Sequence, residues 1–246
     1  MDQLEQIVTR LQRAYDDRLV SVILYGSAAP GGADDSFSDL NILCVLKQVT
    51  PKELADGEPV MRWWRGLDHP PPMLMSEDEV YRSSDSFPIE YRDMKDLRKV
   101  LYGVDVIAEI EVDTRNYRTQ LEHDLRSKLF RLRRAGASVL SDDPALLGLC
   151  LDSVSTFCVL GRHALLLSGA AAPTKRRGIV DGLAKRLHVD FSAFKILLDL
   201  REQQDARELK HKSDPGDVVE LFGAYLSAIQ QIIDYVDSLP AQGSKN

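Results

Sequence analysis

The residues best equipped for chemistry lie in one stretch, LYGSAAPGGADDSFSDLNILCVL, residues 24–46. Gly26 and Ser27 follow one apolar run, and Asp39, Leu40 and Asn41 lead into another. A glycine lets the chain leave a strand sharply and lets a ligand approach the backbone, while Ser27 adds a hydroxyl and an N–H where a phosphate could sit. Residues two apart on a strand point to the same side, so Asp39 and Asn41 face together and Leu40 faces the core. Paired side-chain oxygens of that kind can hold Mg²⁺. Asn41 is the unusual member, because an amide oxygen ligates a hard cation without bringing the negative charge such a cation favours.

The elements around this stretch are those of a mixed α/β unit. Leu4, Ile7, Val8 and Leu11 mark one face of a first helix, and LVSVILYG reads as a strand that stops at Gly26. LNILCVL reads as a second strand, apolar enough to be covered on both faces. Pro51 opens a helix to about Arg65, HPPPMLM must be extended and lead into a strand, and a short helix starts at Ser76. SFPIEYRD is expected as another strand, with DLRKVLYG and VIAEIEV completing this half. No Gly-Lys-Ser/Thr follows the glycines, and no GxGxxG is present, so neither a Walker loop nor a dinucleotide fingerprint applies.

Beyond Asp113 the apolar positions recur at helical spacing and no strand is expected. Tyr117, Leu121, Leu125, Leu129 and Leu132 form one stripe, with Glu122 and Arg126 as an i,i+4 pair. Asp143-Pro144 starts a helix that Gly169 stops, Thr174 opens a shorter one, Asp190 caps the next, and Ser213 begins a last one. Short connections make these an antiparallel bundle. The last helix should bury Val219, Phe222, Leu226, Ile229, Ile233 and Val236, and its stripe is also a candidate homodimer face.

The 246 residues carry a formal charge of -7, which argues against extended nucleic-acid binding through an overall basic surface. Cys44, Cys150 and Cys158 have no CxxC spacing and read as buried thiols in a reducing cytoplasm. The N-terminus has no apolar leader, and polar residues interrupt the apolar stretch 144–168, so no membrane association is expected. SAFK, residues 192–195, is a chance match to an acylase element, Trp63 and Trp64 are expected to pack, and the five histidines show no metal spacing.

Gly-Ser, about a dozen residues and then Asp-x-Asp among apolar residues is the signature of the polymerase beta-type nucleotidyltransferase superfamily. GSAAPGGADDSFSDLN resembles it in all but the final acid. The resemblance covers roughly residues 1–112, and the bundle that follows is similar in architecture to the C-terminal half of bacterial antibiotic nucleotidyltransferases. It implies an α+β fold, with a nucleotidyltransferase-like mixed sheet flanked by helices over 1–112 and a helical bundle over 113–246.

It also implies metal ions held by three carboxylates, two from the Asp-x-Asp strand and one from a neighbouring strand, which align a nucleoside triphosphate with an acceptor hydroxyl. ATP is the expected triphosphate. Carried over by residue, Gly26, Ser27 and Ser38 would seat phosphate, Asp39 would ligate metal, and Asn41 stands where the second acid belongs. Glu90 falls in place as the third acid because it alternates with Ile89 and Tyr91, with Asp93 as the alternative if the register differs. Asp39, Asn41 and Glu90 are thus the expected catalytic and metal-binding set. In RSKLFRLRR, residues 126–134, the cations read as solvated flanks, or else Lys128 and Arg131 meet the triphosphate.

Two functions follow from the resemblance. One is a Mg²⁺-dependent transfer of a nucleoside monophosphate to a small-molecule or protein hydroxyl. The other, favoured by Asn41, is a catalytically impaired nucleotide-binding or regulatory, antitoxin-like protein on the same fold.

Overall fold

A computed structural model describes residues 2–29, 40–112, 114–170, 172–205 and 217–240. The chain divides into two compact units, Met1–Thr114 and Arg115–Asn246. The architecture is α+β, with a mixed four-stranded sheet in the first unit and helices alone in the described part of the second.

In the first unit, strands β1 (Leu19–Tyr25), β2 (Asn41–Leu46), β3 (Met73–Ser76) and β4 (Arg98–Gly103) lie in the order β3-β2-β1-β4. β1 runs antiparallel to β2 and β4, and β2 runs parallel to β3. Helices α1 (Gln3–Tyr15) and α2 (Pro51–Arg65) cover one face, and α3 (Glu77–Arg82) and α4 (Pro88–Asp96) belong to the other. The alternation of strand side chains divides the core accordingly. Val22, Leu24, Ile42, Cys44 and Leu46 pack with Ile7, Leu11 and Trp64, while Ile23, Leu43 and Val45 pack with Val80, Tyr91 and Met94.

SFPIEYRD does not form the expected strand. Residues 88–96 are helical, with Pro88 in the first turn, where a missing N–H and a fixed φ favour a helix start. VIAEIEV is likewise not a strand. Val106, Ile107 and Ile110 insert from turns into the face shared with α4.

An ionic clamp ties α2 to the end of α1. Arg18 reaches Glu53 at 2.6 Å and Asp56 at 2.7 Å, and the Thr50 hydroxyl donates to the same buried Glu53 carboxylate. Thr50 and Glu53 also form a reciprocal cap at the start of α2. Trp64 is buried and Trp63 stacks under Arg10, so both tryptophans pack as expected.

In the second unit α5 (Tyr117–Ala137), α6 (Asp143–Leu167), α7 (Arg176–Leu187), α8 (Ser192–Asp205) and α9 (Val218–Ser238) form the bundle. α6 is long and apolar enough to span a bilayer, yet it is the central helix here and packs against the other four. The apolar stripe of α9 faces inward, with Phe222, Ile229, Ile233 and Val236 buried as expected. That burial removes the stripe as a dimer face. Val219 is exposed and Val218 takes the inner position. Ser192 is held by Asp190 and Lys195 pairs with Asp181, which leaves no acylase pair in SAFK. The three cysteines are buried free thiols, and burial pushes Cys44 up to about 12.

The clamp has a pH signature. Hydrogen bonds from Thr50, then Arg18, hold the Glu53 carboxyl down at about 2, below its ordinary 4.5. A depressed acid stabilises the fold fully above the unfolded value and loses that contribution as pH falls through the folded one. Between pH 4.5 and about 2 the native chain should therefore lose stability more steeply than Glu53→Gln, and above pH 5 it should be the more stable of the two. Denaturant unfolding at a series of pH values checks this; parallel profiles would show that the clamp contributes nothing.

Candidate functional site

The site starts where β1 ends. Gly26 adopts φ +81, a left-handed conformation that side-chain-bearing residues rarely take, and begins a short 3-10 turn over Gly26–Ala28. A Cβ there would lie 3.3 Å from Asn41 Nδ2. The Gly26 N–H donates to the Leu97 carbonyl at 3.0 Å, just past the end of α4, and its own carbonyl accepts from Ala29. Glycine is thus required by backbone conformation, and the amide of Asn41 fills the space beside it. Ser27 is half-buried in the turn. Ser38 and Asp39 lie outside the described residues.

Tyr25 and Asn41 are directly opposite each other in the antiparallel pair. Both share the parity of Ile23, Leu43 and Val45, which places them on the sheet face covered by α4. Glu90 and Asp93 stand three apart on α4, on one side of that helix. Their charges reach Tyr25: burial first, then Glu90 and Asp93, raise its phenol up to about 12. The strand alternation expected for Glu90 is absent, and helical spacing brings both acids to the same tyrosine.

The donors match a metal only in part. Among the described residues no three acidic, histidine or cysteine side chains gather closely enough to hold an ion. β1 and β3, the neighbours of β2, carry no carboxylate. The described donors are an amide from β2 and two acids from α4, with Asp39 outside the described residues. A hard cation favours carboxylates over an amide.

Lys128 and Arg131 are in the second unit, in a cleft of about 640 Å³ between α5 and α6. Arg134 and Asp152 line it too. The sequence marks Arg134 only as a solvated flank and Asp152 only as a polar break in an apolar stretch. The i,i+3 repeat of cations at 128, 131 and 134 is the signal that groups Arg134 with the other two, whereas nothing in the sequence groups Asp152 with them. His163, also given no role, is buried and shares a hydrogen bond with the Tyr117 hydroxyl.

No protein-family model matches the chain, and no curated protein matches it significantly in sequence. Solved structures do match. A spectinomycin adenyltransferase, AAD(9), from Enterococcus faecialis, solved with ATP and spectinomycin, superposes with a TM-score of 0.58 at 12% identity, over 93% of this chain and 98% of that one. At that identity the likeness shows the fold: the chain has the fold of a nucleotidyltransferase.

Two measurements probe the geometry. Gly26→Ala should cost roughly 1–3 kcal/mol from backbone strain, and adding Asn41→Ala should not restore it, because making room leaves φ unchanged. Full recovery in the double variant would make crowding the whole cause. Replacing Glu90 and Asp93 with Gln and Asn should bring Tyr25 down from about 12 while leaving it above 10, since burial is the largest cause. Carbon-13 ring labelling of tyrosine reads this directly, and an unmoved Tyr25 would place the acids elsewhere.

Proposed function

We propose that this protein binds a nucleoside triphosphate, ATP first among them, at the Gly26 turn and transfers its nucleoside monophosphate to a hydroxyl of a small molecule or protein. The observation that carries the reading is the gathering of Tyr25, Asn41, Glu90 and Asp93 on one sheet face beside Gly26, in the fold of an adenyltransferase. Gly26 and Ser27, with Ser38, seat the phosphates. Asp39 and Glu90 hold a single Mg²⁺, with Asn41 as a weak third ligand. Such a cation, when bound, would offset charge on the leaving pyrophosphate. Asp93 takes the acceptor proton as the acceptor oxygen bonds to the α-phosphorus and the bond from that phosphorus to pyrophosphate breaks. A bacterial cytoplasmic setting belongs to the same reading.

A second reading has its own support. Asn41 in place of an acid, together with strands flanking β2 that carry no carboxylate, favours a protein that binds nucleotide without turnover and acts on a partner, as an antitoxin-like regulator would.

Pyrophosphate release with Mg²⁺, each triphosphate and a panel of hydroxyl acceptors separates the two. Transfer predicts measurable release that Asp39→Ala reduces by roughly 100-fold or more, and a lower Mg²⁺ requirement in Asn41→Asp. A silent native protein that Asn41→Asp switches on would select the binding-only reading. Silence in both, with no nucleotide bound, would reject the proposal.

A further inference from the structure

The second unit holds its own candidate binding site. The α5–α6 cleft has a volume of about 640 Å³, within the range of about 300–1,000 Å³ usual for small-molecule pockets. Its apolar lining comes from Leu132, Leu149 and Phe157. Its polar lining comes from Lys128, Arg131 and Arg134 on α5, and from Asp152, Ser153 and Thr156 on α6.

The cations of the cleft have no protein partners among the described residues. Elsewhere in this unit Arg118 and Arg126 pair with Glu122, Arg177 with Asp199 and Glu202, and Lys195 with Asp181. Lys128, Arg131 and Arg134 make no ion pair or hydrogen bond with any described residue, and neither does Asp152 across the cleft. Ser153 is already engaged, with its hydroxyl between the Cys150 carbonyl and the buried Tyr225 hydroxyl, each at 3.1 Å. The cleft therefore offers an apolar floor, solvent-facing positive charge along one wall, and one solvent-facing carboxylate along the other.

We propose that this cleft binds a hydroxyl-bearing organic anion: a compact molecule with an apolar body, a carboxylate or phosphate for the α5 cations, and a hydroxyl that donates to Asp152. Arginine beside lysine suits oxyanions, since the guanidinium donates in pairs and stays charged. Asp152 sets the class more narrowly. A carboxylate across the cleft from the cations disfavours a tetra-anionic triphosphate but accepts a hydrogen bond from a hydroxyl on a singly or doubly charged ligand. The site belongs to the second unit alone and stands whether or not the first unit transfers nucleotides.

Ligand-observed NMR titration of the full chain tests it with three probes: 4-(hydroxymethyl)benzoate, 4-methylbenzoate without the hydroxyl, and 1,4-benzenedimethanol without the anion. The native protein should bind the first best and the last at least about 10-fold more weakly, as expected when a charge-assisted hydrogen bond is missing. Lys128→Gln with Arg131→Gln should lower affinity for both benzoates by a similar factor, while Arg133→Gln, whose side chain bonds Gln230 instead, should change nothing. Asp152→Asn should bind 4-methylbenzoate more tightly and prefer the hydroxymethyl compound less. Circular dichroism confirms that each variant is folded. No probe binding to the native protein, binding indifferent to the double variant, or displacement of the hydroxymethyl probe by ATP at equal concentration would overturn the assignment.

Discussion

The candidate site depends on a backbone constraint at one residue. At Gly26 the chain must turn out of β1 with a positive φ, and the volume a side chain would need is taken by the Asn41 amide. The same residue donates to Leu97, so the turn is tied to the end of α4 as well as to β2. Three elements distant in sequence are thereby brought to one point, and the side chains that share that face follow from strand parity. Tyr25, opposite Asn41, cannot point anywhere but toward α4 without inverting the cores on both sides of the sheet.

Electrostatics then give the point its character. Burial first, then two carboxylates on α4, push the Tyr25 phenol further from ionisation. An acid at position 41 would have added a third negative charge to this face. The amide avoids that repulsion and weakens the case for a tightly held metal. An uncharged amide at this position therefore eases the assembly of the two acids on this face. This balance distinguishes the site from one built on three carboxylates. The spectinomycin adenyltransferase likeness speaks to the frame in which the balance is struck.

Much of that frame was legible in the residues. Apolar runs ending at Gly26 and Leu46 marked β1 and β2 because both faces of these strands are buried, and Pro51 marked α2 because proline suits the first helical turn. The α5 stripe was legible because every fourth residue or so enters the core. SFPIEYRD reads as an alternating strand because the nine-residue helix it forms buries Ile89 and Tyr91, while Pro88 in the first turn carries the opposing helix-start signal. Glu90 faces Tyr25 all the same, with Asp93 beside it.

What pairing supplies was harder to read. Nothing near Glu53 in sequence names Arg18 as its partner, 35 residues away, and nothing in an apolar helix announces that His163 bonds Tyr117. The unpaired cations of α5 were visible as residues. Their lack of partners became visible only with α6 in place. Long-range partners are set by packing, which local periodicity does not encode.

The central claim is that the Gly26 turn receives the phosphates of a nucleotide. An amide NMR titration of the full chain with ATP and Mg²⁺ tests it most directly. The account predicts saturable shifts that are largest at the Gly26 and Ser27 N–H groups and at the Asn41 side-chain amide. Saturating ATP that leaves those three signals in place, while others move or none do, would contradict it.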